Sequence, residues 1–76
     1  MAKSQYTIIV ESGAGNFSAF APDLPGCVVT GDTLDEAVEQ MKQAIEFHLE
    51  GLAEEGLPIP SPTDSVRLVE VELPAA

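Results

Sequence analysis

At 76 residues, 45% of them apolar, the chain is long enough for one small domain spanning 1–76 and too apolar for a disordered one. Thirteen Asp and Glu against three Lys and Arg set the net charge at −10, which argues against direct binding of nucleic acid and suits either a basic partner or plain solubility. The single cysteine cannot form an internal disulfide, no apolar run is long enough for a membrane span, and Met1-Ala2-Lys3-Ser4 is no signal peptide, so a cytoplasmic protein is expected.

Residues 5–11 are rich in β-branched side chains and read as a strand, with Tyr6, Ile8 and Val10 on one face and Ile9 on the other. Ser12-Gly13-Ala14-Gly15-Asn16 is a turn-forming cluster, and residues 17–21 return as the hairpin partner. The Gly-Ala-Gly string lacks the lysine and the following helix that a phosphate loop requires. Pro22 and Pro25 restrict φ, Gly26 permits a tight turn, and residues 27–30 make a third short strand.

Thr33-Leu34-Asp35-Glu36 has the form of a capping box and opens a long helix, with acidic side chains at the positive end of its dipole. Leu34, Val38, Met41, Ile45, Leu49 and Leu52 recur at helical spacing, flanked by Ala37 and Ala44, and form the expected core stripe. Gly56, with Pro58 behind it, marks the stop, for a helix of about six turns and roughly 33 Å. Pro58, Pro60 and Pro62 favour an extended strap running back along the helix. A last strand is expected over 65–73, where Val69, Val71 and Leu73 share one face and Val66 and Leu68 the other. The expected architecture is α+β, in the order β-β-β-α-β: a small, mostly antiparallel sheet with one long helix on one face.

The string Pro22-Asp23-Leu24-Pro25-Gly26-Cys27, then Gly31-Asp32-Thr33, then Glu36-Ala37 ahead of a long helix, resembles the HicB-like antitoxin family. The likeness extends into 56–62 and covers almost the whole chain. It implies a reduced RNase H-like fold and a module that binds and silences a small, basic HicA-type ribonuclease. Many members also carry a C-terminal DNA-binding domain, whereas this chain ends Leu73-Pro74-Ala75-Ala76, so operator binding is not carried over.

Two readings of function remain side by side. One is an antitoxin-like module with a HicA-like partner; the other is an orphan homo-oligomeric adaptor, structural or small-molecule-binding domain with no toxin. No cofactor, metal site or catalytic set is indicated, since the acids lie in turns and on the outside of the helix, and no enzymatic role is expected. The candidate partner-binding residues are Asp23 in its turn, Glu39, Glu46 and Glu50 on the polar side of the helix, and Phe47 at the edge of that side. The bland alternatives are a solvated helix face and an aspartate bonded to its own turn. A homo-oligomer, most simply a dimer, is expected through Val69, Val71 and Leu73 of the last strand, because a core this small is marginal alone.

Overall fold

The computed structural model describes residues 3–62 and 67–74. Among them are three strands, β1 (Ile9–Ser12), β2 (Phe17–Phe20) and β3 (Val28–Gly31), followed by one helix, α1 (Leu34–Glu54). The strands form an antiparallel sheet in the order β1-β2-β3, with Ile9 opposite Phe20 and Phe17 opposite Gly31. The expected β-β-β-α layout is therefore present.

The hairpin between β1 and β2 is closed by Gly13 N–H donating to the Asn16 carbonyl at 2.8 Å, with Gly15 at φ +82°. β1 is shorter at its start than the β-branched run suggests. Its partner β2 ends at Phe20, and the chain then turns away, so β2 has no further backbone to offer residues 5–8. The two faces of this segment are distinct, because Tyr6, Ile8 and Val10 pack on the core while Ile9 is exposed.

α1 begins as the capping residues dictate. Thr33 adopts an extended conformation and its hydroxyl accepts from the Glu36 N–H at 3.1 Å. The helix ends in a Schellman arrangement: Leu57 N–H donates to the Leu52 carbonyl at 2.9 Å and Gly56 N–H to the Ala53 carbonyl at 3.1 Å. Gly56 sits at φ +69°, where a side chain would be strained.

The buried face of α1 is rotated from the expected stripe. Ala37 and Met41 are fully buried, whereas Leu34 and Val38 are 50% and 42% exposed. The cause lies in β3. Gly31 passes so close to the first turn that an added Cβ would stand 2.7 Å from the Ala37 nitrogen, drawing α1 over β2 and β3 and leaving its Val38 side past the edge of β1. The core is Ala19, Ala21, Leu24, Cys27 and Met41, with Tyr6, Ile8, Val10, Val29, Ala44, Ile45 and Leu49 packed around it.

After the helix the strap folds back, and the Tyr6 hydroxyl donates to the Pro60 carbonyl, tying it beside the start of β1. Among the described residues the expected last strand is not formed. Residues 65 and 66 lie outside the described residues, and 67–73 belong to no strand. Leu68 is 98% exposed and Val69 79%, so these side chains find no face of their own sheet to cover.

Candidate partner-binding site

The loop between β2 and β3 is a folded plug. Leu24 N–H donates to the Ala21 carbonyl at 3.0 Å, Cys27 N–H to the Leu24 carbonyl at 3.1 Å and Ala21 N–H to the Cys27 carbonyl at 3.3 Å. Gly26 takes the positive φ of +87° that this closure requires. The result seats Leu24 in the core and stands the Gly26–Cys27–Val28 end of the loop beside the second half of α1.

Between that loop and α1 lies an open hollow of about 380 Å³, walled by Gly26, Cys27 and Val28 on one side and by Ala44, Phe47, His48, Gly51, Leu52 and Glu55 on the other. Phe47 stands 80% exposed on its rim and Val28, on the opposite wall, is 62% exposed. Gly51 costs helix stability for want of a side chain, yet nothing lies within 4 Å of where its Cβ would be. No contact among the described residues explains that glycine, and its absence of bulk keeps the floor next to Phe47 open.

Glu39, Glu46 and Glu50 are all exposed on the outward side of α1, and Phe47 borders that side. Glu54 and Glu55 continue the acidic run into the negative pole of the helix, where no basic side chain stands in the last turn. That placement is locally unfavourable. Asp23 is half-buried in its loop and already has an interaction partner within the fold.

The structure thus brings Glu39, Glu46, Phe47 and Glu50 onto one side of α1 and puts Asp23 in the loop that supplies the facing wall. Val28 and Glu55 were not singled out from the sequence. The signal for Val28 is the alternation within β3, where Val29 packs inward and Val28 must point out. Val69, Val71 and Leu73 are exposed and away from this site.

Burial pushes the pKa of the Cys27 thiol up, which keeps it protonated and is the wrong direction for a nucleophile. Among the described residues no three His, Cys, Asp or Glu side chains gather closely enough to hold a metal ion, and no helix is long and apolar enough to cross a membrane.

Known proteins resemble this chain over most of its length. The profile of the HicB_like antitoxin of bacterial toxin–antitoxin systems matches residues 6–72. A 14.9 kDa protein of the rep–hol intergenic region of Haemophilus phage HP1 is 42% identical over 55 residues, covering 72% of this chain; the chain spans 41% of that protein's length. The UPF0150 protein ssr1765 of Synechocystis is 41% identical over 56 residues, covering 72% of this chain and 71% of the relative. A chain in a solved structure described as the HicA3 and HicB3 toxin–antitoxin complex superposes with a TM-score of 0.67 at 32% identity, covering 79% of this chain and 70% of that one.

Proposed function

This chain belongs to the HicB-like antitoxin family, and we propose that it neutralises a small, basic HicA-type toxin by docking it on Phe47 and the acidic side of α1. The observation that carries the reading is the exposure of Phe47, 80%, at a hollow with Glu55 in its wall, on a chain of net charge −10. Exposed aromatics beside small residues make contact anchors, and the surrounding charge selects a basic partner and speeds its approach. The likeness to a chain of a HicA3–HicB3 complex supports a partner of that kind.

The mechanism needs no catalysis. A ribonuclease holds the RNA backbone with basic side chains. Glu39, Glu46 and Glu50 would occupy such a surface in place of phosphates, while Phe47 enters an apolar recess of the toxin and slows its release. The unfavourable acids at the helix C-terminus fit the same role, since a cationic partner would relieve them.

The test is association kinetics with a small, basic HicA-like protein, sought first in the neighbouring reading frame. Phe47→Ala is expected to raise the dissociation rate by about 30-fold, the equivalent of roughly 2 kcal/mol. Glu46→Gln with Glu50→Gln should instead slow association at low salt and match the unaltered chain well above about 0.15 M, where the screening length falls below about 8 Å. All three side chains are exposed, so folding is not at stake. Binding that ignores both sets of changes, or a partner that is acidic, would sink the reading.

A related outcome separates stability from binding. Glu54→Lys places a cation at the negative end of α1 and is expected to stabilise the isolated chain by about 0.3–1 kcal/mol at low salt. The same change should weaken capture of the toxin. Thermal unfolding and the binding assay, run on one preparation, read both signs.

A further inference from the structure

In the order β1-β2-β3, β3 has β2 on one side and no strand on the other among the described residues. The ladder decides which backbone groups face that open side. Ala21 N–H donates to the carbonyl of Cys27, its partner where the β2–β3 register continues, so this pair belongs to the hydrogen-bonded set. Antiparallel pairs alternate, which places Ala19–Val29 in the same set and leaves Phe20–Val28 and Ser18–Thr30 as the non-bonded pairs. Val28 and Thr30 therefore turn their N–H and C=O away from β2, one donor and one acceptor each.

Sheet edges are normally blunted by a lysine, a proline, a bulge or a covering element. β3 reads Val-Val-Thr-Gly, with no charge and no proline, and its register with β2 runs unbroken from Val28 to Gly31. Val28 and Thr30 are both exposed. α1 meets the far end of β3, where Ala37 stands against Gly31, while the near end at Val28 borders the open hollow beside Phe47. The face of the sheet away from α1 carries apolar surface onward from the same residue. Val28 stands opposite Phe20 and Phe20 opposite Ile9, so one apolar row crosses all three strands. Ile9 and Val28 are exposed and flank a half-buried Phe20.

We infer that the free edge of β3 accepts a strand from the basic partner, hydrogen-bonded to the N–H and C=O of Val28 and Thr30. This rests on the toxin reading above and names the means of contact. The four residues of β3 span roughly 13 Å, so a partner segment of similar length completes the edge. Side chains of an added strand alternate between two sides. Those facing α1 enter the hollow beside Phe47 and Gly51, and those facing away extend the row of Val28, Phe20 and Ile9. Backbone bonds then supply affinity and the two apolar surfaces supply selectivity.

Charge assigns the edge to a basic chain over a second copy. No Lys or Arg occurs between Lys3 and Lys42, so the three strands and the first turns of α1 carry only acids, among them Glu11, Asp32 and Glu39. Lys3 and Lys42 themselves line a groove that includes Tyr6 and Ile8 of the segment entering β1, on the opposite side of the sheet from β3. A second copy would bring the same negative field to β3, whereas a basic strand is drawn to it.

Residue-resolved amide hydrogen exchange of the full chain, with and without a small, basic HicA-like protein, tests the inference. The Val28 and Thr30 amides are expected to exchange at least tenfold more slowly in the complex. The Val10 amide, which the same alternation turns to the opposite edge of the sheet, should not change. A complex that forms, and that Phe47→Ala weakens, but leaves the Val28 and Thr30 amides unprotected overturns strand addition and keeps the toxin reading. A basic HicA-like protein that does not bind sinks both. Protection that rises with the concentration of the chain alone gives the edge to a second copy and overturns the inference. Thr30→Pro removes one outward donor and is expected to weaken binding at least tenfold with helical circular dichroism retained. Unchanged affinity in that variant also overturns it, and if the variant fails to fold, exchange in the unaltered chain decides.

Discussion

Leu24→Ala is expected to lower the unfolding free energy by about 2–5 kcal/mol. Leu24 is 1% exposed and, with Met41, one of the two largest fully buried side chains among the described residues. The rest of the buried core is Ala19, Ala21, Cys27 and Ala37, all small, so little neighbouring bulk can collapse into the space left behind. A chain of this size has on the order of 4–11 kcal/mol of stability in total. The substitution therefore removes a large share of it, and with it the loop that walls the Phe47 hollow. Urea denaturation followed by circular dichroism provides the measurement, with Val28→Ala as the comparison. Val28 is 62% exposed and its truncation should move the midpoint little. Equal losses from the two would mean that Leu24 does not plug the core.

Gly31→Ala should be nearly as damaging, by about 2 kcal/mol or more. The reason is contact and not conformation. Gly31 is not among the glycines with positive φ, but an added Cβ would lie 2.7 Å from the Ala37 nitrogen and 3.0 Å from its Cα. Those are backbone atoms of the first helical turn, which cannot swing aside as a side-chain tip can. Either β3 or the start of α1 must move, and Thr33 with its cap lies between them. Gly51→Ala supplies the opposite sign. It lies inside the helix, a Cβ there would meet nothing within 4 Å, and alanine should stabilise by roughly 0.5–1 kcal/mol. Thermal unfolding of the pair measures both directions; a neutral Gly31→Ala would show that β3 and α1 are not held in close approach.

These two sites give the family resemblance a physical content. Leu24, Gly26, Gly31, Thr33 and Ala37 carry much of it, and each is a scaffold residue: a plug, a turn at positive φ, a close approach, a cap and the buried alanine that receives the approach. Leu24, Gly31 and Ala37 are buried, whereas Gly26 and Thr33 are exposed and serve the turn and the cap. Phe47, Val28, Glu39, Glu46 and Glu50 lie outside those strings. Apart from Asp23 and the loop wall at Gly26 and Cys27, the features that identify the fold and those that would choose a partner are different residues, and likeness in the first leaves the second to be tested.

The local elements were legible in the chain because their causes are local. Thr33 caps through a hydroxyl three residues from its donor, Gly56 ends the helix by its own φ, and the turns at 13–16 and 21–27 close through near neighbours. Phe47 could be set apart from the apolar stripe by angle alone, since helical periodicity fixes which residues share a side. What periodicity cannot fix is where the partner surface lies. The Val38 side of α1 is open because Gly31 draws the helix over β2 and β3, a contact between segments that meet only in the folded sheet. Residues 67–73 read as a strand by composition, but a strand is completed by hydrogen bonds to another, and nothing in their own sequence says which edge provides them. Among the described residues that segment stands off the sheet and β1 has no second neighbour, because pairing depends on what stands beside a strand, and that is a property of the assembled chain.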